Sequence, residues 1–462
     1  MGTEPTFGTE AGFMISSFFW RRLLARTGLA SLFPAIRRYL DGGERFLHYL
    51  SDRALSLPVD ECIDPAWFPD IDAPDAINLA LGSPRCELVL GALRGINDRR
   101  AISPWGMLEL REQIVGHVDN VSGQGSDPSH TLITHGATGA FATAIDTFVN
   151  PGDKVVLLDP TSPIFTLGLK HRRARIRWVK SWLEDGKTLF DIQDFSTALR
   201  GAKMLVLCDP ANPTGGVLAA EEFELIAWWA KRHDVLIYLD ESFEQYRYEP
   251  DRPRLANFPH AENRLLRAGS VSKTHGLTAA RVGWLTGCRH LLRPCALTAS
   301  MAAPFVSPLC QQVALTALRT GEQTAGLIRD EFAGRRRYLC ESLQTLGFEP
   351  GWPSGGYFFW MSVNHLGMSG REFARQLVAS RRVLVNPGDP FGPSGIDFVR
   401  LSYATEEGRL REGMQRLAEF VAECRLRLSG LPNSAKPQAA VSDTRRESDK
   451  THQSLEPVRR SG

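Results

Sequence analysis

Four short stretches hold residues whose types and spacing could do chemistry. THGATGAF, residues 134 to 141, reads as a glycine-rich turn opening a helix. The free N–H groups of a helix N-terminus make a ready phosphate site. VLIYLDESF ends an apolar run in a carboxylate, Asp240, at the kind of strand end where ligands of open α/β sheets gather. GSVSKTHG sets Lys273 among small polar residues, with Arg281 eight positions on, and CDPANPTGG is a rigid turn presenting Asn212. Taken singly, each has a bland explanation as turn or cap chemistry. Their order, each following a strand-like run, is harder to reach by accident.

The elements that must position them are legible as a βα series. DKVVLLDP, AKMLVLCDP and DVLIYLDE are short unbroken apolar runs, the mark of strands buried on both faces of a parallel sheet. ATGAFATAIDTFV (137 to 149) has helical periodicity and stops at Asn150, Pro151 and Gly152, and EEFELIAWWAKRH (221 to 233) is an amphipathic helix. Such alternation between about residues 130 and 290 predicts an α/β fold, a mostly parallel sheet flanked by helices. After about residue 310, long helical stretches alternate with SGGYFFWMSV and VLVNPG, the pattern of a smaller α+β domain. The expected division is an N-terminal extension or arm over 1–75 and a large domain over 76–310, of which 76–95 joins the smaller one. The smaller domain then covers 311–428, and a disordered tail follows over 429–462.

Together these features resemble the pyridoxal-phosphate (PLP) aminotransferases of class I/II, fold type I, over roughly residues 75 to 425. INLALGSP resembles the family's early glycine strand, and WGMLELREQI its G-x-x-x-LR helix. The NPTG turn and the SxSK-to-Arg spacing match, and NPGDPFG and FVRLSYA resemble its PG-x-x-F and R-x-S stretches. The resemblance implies PLP as cofactor and transfer of an amino group from an L-amino acid to a 2-oxo acid. It implies that Lys273 forms the internal aldimine and shuttles a proton, and that Asp240 pairs with the pyridine nitrogen. Asn212 would donate to the ring O3′. Ala137, Thr138, Ser270 and Arg281 would hold the phosphate, Arg400 would grip the substrate carboxylate, and Gly82 would line the substrate site.

Three positions depart from the family pattern. Phe243 stands where many relatives carry a tyrosine whose hydroxyl donates to O3′. Ser162 occupies the place of the aromatic residue that covers the cofactor ring, and Phe165 is the nearby substitute if the loop is rearranged. Ala101 replaces a tyrosine that in relatives reaches the phosphate of the neighbouring subunit. Trp105, Tyr246, Tyr248 and Tyr357 are potential pocket walls, although large aromatics are usually core. His275 reads as a turn histidine without catalytic duty.

Composition sets the remaining bounds. The 462 residues are 43% hydrophobic and carry 54 basic and 52 acidic side chains, a net charge of +2 that calls for no nucleic acid. Eight cysteines (62, 86, 208, 288, 295, 310, 340, 424) are scattered without a CxxC pair, which fits a reducing, cytoplasmic setting and argues against structural zinc. Residues 13 to 33 are apolar but broken by Arg21, Arg22 and Arg26, so no stable membrane insertion is expected. The expected assembly is a homodimer. The rival activities are a PLP lyase, decarboxylase or oxidase on the same scaffold, and a PLP-responsive transcription regulator. Residues 1 to 75 show no helix-turn-helix signal for the regulator.

Overall fold

The computed structural model describes residues 75–79, 103–119, 127–249, 253, 255–261 and 263–429. Gly82, Ala101, nearly all of the N-terminal extension and the tail from residue 430 lie outside the described residues.

From β1 (Ile77–Asn78) and α1 (Leu108–Asp119) the chain enters β2 (Thr131–Thr134), α2 (Gly136–Phe148), β3 (Lys154–Asp159), α3 (Pro163–His171), β4 (Arg175–Glu184) and β5 (Lys187–Phe190). It continues through α4 (Ile192–Leu199), β6 (Met204–Cys208), α5 (Ala220–His233), β7 (Leu236–Asp240), β8 (Leu265–Ser270), α6 (Val271–Thr274) and β9 (Gly283–Gly287). Helices α7 (Arg289–Ala302) and α8 (Pro308–Thr345) lead to β10 (Phe358–Ser362), α9 (Gly370–Arg381), β11 (Val383–Leu384), β12 (Asn386–Pro387), β13 (Phe398–Ser402) and α10 (Glu407–Leu428).

The large sheet has the order β2-β9-β8-β7-β6-β3-β4-β5. Strands β3, β4, β6, β7 and β8 are parallel, whereas β9 and β5 run antiparallel to β8 and β4. Register explains the unbroken apolar runs. Val156, Leu205 and Ile237 are aligned and face Phe223 of α5, while Leu157, Val206 and Tyr238 are aligned on the opposite face with Phe141 of α2. Both faces are covered, so every position is apolar instead of every second one. Helix α5 is placed by charge as well: Glu221 and Glu222 lie in its first turn and Lys231, Arg232 and His233 in its last, complementing its dipole.

Strand order reverses between β3 and β6, with β4 on one side and β7 and β8 on the other. Such a switch opens a crevice beyond the strands' carboxyl ends. Across it stands a second body, built on the antiparallel sheet β10-β13-β12 and the core of Phe332, Tyr357, Phe359, Phe373, Leu401 and Phe420. Ile77 and Leu79 belong to this core, and β1 pairs with β11. Helix α8, 38 residues long, serves both bodies. Ala314, Leu315 and Leu318 pack with Leu110 and Ile114 of α1, and Phe332, Leu339 and Leu343 enter the second body's core. Residue 310 therefore falls in the first turn of a continuous helix.

Candidate active site

Asp240 is the last residue of β7, and its Oδ1 accepts from Ser242 N at 2.9 Å. Burial pushes the carboxyl up, opposed by the Ser242 contacts and by the Lys273 amine. Lys273 lies in α6, the single turn following β8, and its carbonyl accepts from the Tyr246 hydroxyl at 2.7 Å. Burial, and then the Arg400 and Arg281 cations, pull the Lys273 amine down to about 8 while Asp240 pulls it up. An amine held near neutral pH is both a nucleophile and a proton acceptor.

Asn212 projects from the turn after β6. Hydrogen bonds from Ala211 N to Gly216 O (2.8 Å) and from Gly215 N to Ala211 O (2.9 Å) close that turn. Asn212 Oδ1 accepts from Arg400 Nη1 at 2.8 Å. Arg400 stands in β13 opposite Trp360 and Asn386, with its guanidinium 4.2 Å from the Phe358 ring centre and 5.0 Å from that of Phe391. Stacking on these rings keeps the planar fork oriented at little entropic cost.

Helix α2 starts at Gly136, at φ +71°, and His135 places no side-chain cap on it. A Cβ on Gly136 would stand 2.7 Å from Arg281 Nη2, so the guanidinium lies against the helix's first residue. A Cβ on Gly283 would stand 2.4 Å from the Gly136 carbonyl carbon, which is why β9 must offer a glycine there. Ala137 is half-buried, Thr138 exposed and Ser270 buried at the N-cap of α6.

Lys273, Asp240, Asn212, Arg281 and Arg400 thus converge beyond the ends of β6, β7 and β8. The Lys273 amine is in the field of the Arg281 and Arg400 cations and of the Asp240 carboxylate, and Arg281 lies against the start of α2. That donor set suits a ligand carrying both a phosphate and a carboxylate with a basic ring nitrogen.

Two aromatic expectations resolve differently. Phe243 is buried with its ring edge-on to Tyr357 (5.3 Å) and Phe358 (5.4 Å), three residues beyond Asp240 and in the core of the second body. Phe165 does not cover a cofactor ring. It is 0% exposed, wedged against Phe141 at 4.9 Å and Tyr238 at 6.2 Å. Pro163 starts α3 directly after Ser162, and the third helical position then turns inward to the sheet. His275 is buried, its Nδ1 2.7 Å from Thr274 Oγ1.

The model of the family described as aminotransferase class I and II matches residues 79–417. The chain belongs to the class I and II aminotransferases. Members transfer amino groups using PLP, and the residues gathered here fit that cofactor. The aminotransferase is 31% identical over 319 residues to the putative aminotransferase YugH of Bacillus subtilis, across 68% of this chain and 82% of that one. It is 28% identical to the arginine–pyruvate transaminase AruH of Pseudomonas aeruginosa, across 77% of this chain and 88% of that one. The solved aspartate aminotransferase from Thermus thermophilus with maleate matches at TM-score 0.70 and 25% identity, covering 80% of this chain and 99% of that one. The expected fold, activity class and cofactor therefore hold.

Sequence reasoning passed over one feature beside the site, the ion pair of Asp209 with Arg247, whose side chains are 2% and 4% exposed. An arginine inside the aromatic stretch QYRYE was the available signal, since a charge among buried rings needs a partner.

Proposed function

We propose that this aminotransferase moves the amino group of an L-α-amino acid to a 2-oxo acid, with Lys273 as the catalytic base. Bound PLP supplies an electron sink conjugated to the substrate's Cα. Lys273 Nζ would be the cofactor's point of attachment and, with its amine free, the base that would take and return the substrate's Cα proton. Its pKa of about 8 suits both directions near neutral pH. Asp240 would keep a proton on the ring nitrogen, and Asn212 Nδ2 would donate to the ring oxygen. The first turn of α2 at Ala137 and Thr138, with Ser270 and Arg281, holds the phosphate. Arg400 grips the substrate carboxylate through two N–H groups, which fixes the Cα–H bond relative to Lys273.

The observation that carries this reading is the lowered Lys273 amine between Asp240, Arg281 and Arg400. The relatives are named for different donors, among them aspartate, arginine and LL-diaminopimelate. We read the protein as a cytoplasmic homodimer with a large and a small domain. Two features support this: the free cysteines among the described residues, and Leu297 and Met301 of α7, which are 67% and 88% exposed and suit a second copy.

The test is a panel of amino donors read by absorbance of the bound cofactor, with Lys273→Ala as the blank. A true donor converts the cofactor to its amine form, and a 2-oxo acid restores it. Release of carbon dioxide, ammonia or peroxide without that conversion would assign the protein to lyase, decarboxylase or oxidase chemistry instead.

A further inference from the structure

We infer that the buried Asp209–Arg247 pair is a positioning device for Asn212. The inference rests on the proposed role of Asn212 as donor to the cofactor ring. Asp209 holds the Asn212 turn from both ends: it begins the turn, and its Oδ1 accepts from Leu218 N at 2.8 Å where the turn finishes. Its backbone N donates to Asp240 O at 3.0 Å, so the same residue joins the turn to the end of β7. Its Oδ2 accepts from Arg247 Nη2. Arg247 Nε donates to Glu244 Oε2 at 2.6 Å, within the segment that follows Asp240 and contains Phe243. Arg247 also bridges to Gly355, whose N donates to Gly215 O at 2.8 Å, back in the Asn212 turn. The pair therefore closes a loop of contacts around the two residues assigned to opposite edges of the ring.

A buried ion pair is a poor source of net stability, because desolvation offsets most of the attraction. What it supplies is a fixed geometry. Phe243 offers the ring oxygen no hydroxyl, so the load falls on Asn212. With Asn212 Oδ1 engaged by Arg400, its Nδ2 is the end turned to the cofactor. A displaced turn would weaken that donation and leave the ring oxygen's charge to be balanced by the proton on the cofactor-bound nitrogen.

The experiment uses the holoenzyme and follows the pH midpoint of the visible absorbance of bound PLP, with thermal melting alongside. Asp209→Asn keeps the acceptor for Leu218 but removes the charge facing Arg247. It should raise the midpoint by about ten-fold in proton affinity. In an Asn212→Ala background it should add nothing, because the two changes act through one donor. If Asp209→Asn does not fold, Asp209→Leu with Arg247→Met, which replaces the whole pair by apolar side chains, carries the same expectation. A lowered melting temperature with an unmoved midpoint would reduce the pair to structural packing and overturn the inference. So would a shift that persists undiminished without Asn212. If Asn212→Ala itself leaves the midpoint where it was, the proposed role of Asn212 falls, and the inference with it. If that variant moves the midpoint and the Asp209 variants do not, only the role of the pair falls.

Discussion

The amine of Lys273 should titrate far below an ordinary lysine, and Arg400 should be part of the reason. Burial is the largest cause, followed by Arg400 and Arg281, which together bring the group to about 8. At pH 7.5 a group of pKa 8 is about one-quarter neutral, against about one in a thousand for a lysine near 10.5, roughly a 200-fold gain in reactive amine. Arg400→Gln removes one like charge, which typically moves a pKa by on the order of one unit, so the neutral fraction should fall about ten-fold. Most of the depression should survive, since burial is untouched. The assay is competitive trace acetylation of the cofactor-free protein between pH 6.5 and 11, with the peptide bearing Lys273 compared by mass with that bearing exposed Lys203. The linkage has a definite sign. Between the two pKa values the unfolded chain holds the proton that the folded chain has released, so this group makes folding more favourable as pH climbs from about 8. Titration of Lys273 at or above 10 in the wild type would refute the crowding argument. Indifference to Arg400→Gln would refute the placement of the second cation.

Other substitutions probe the scaffold. Arg281→Gln removes a charge-assisted contact of about 1.5–3 kcal/mol, so equilibrium dialysis should show PLP held about 10- to 100-fold less tightly. Gly283→Ala sets a methyl 2.4 Å from backbone that cannot yield, and should destabilise by about 1–3 kcal/mol in denaturant melts while loosening PLP. Gly326→Ala, in α8 with open space around the added carbon, should stabilise by about 1 kcal/mol in the same melts.

What could be read from the sequence followed the strength of local signals. The runs ending at Asp159, Cys208 and Asp240 were visible as strands because burial on both faces removes polar residues from them altogether. Lys273 and Asn212 were legible because each follows closely on a strand and needs only the sheet to bring it to the crevice, whereas Arg281, two residues ahead of β9, was found by its spacing from Lys273. Phe165 misled because proximity in sequence to Ser162 says nothing about which side of α3 faces the sheet. Asp209 and Arg247 stayed hidden because their meaning is a long-range contact: 38 residues separate them, and the turn signature around Asp209 says nothing of a partner.

Helix α8 carries Leu315 in one hydrophobic core and Leu339 in another without a break. Neither core can lose its share of that helix and leave the other intact, since the hydrogen-bond ladder runs through both. Their melting is thereby coupled. A differential scanning calorimetry trace should show one endotherm with matching calorimetric and van't Hoff enthalpies, despite two bodies with separate sheets. The helix acts as a splice, converting what would be two partial failures into a single one.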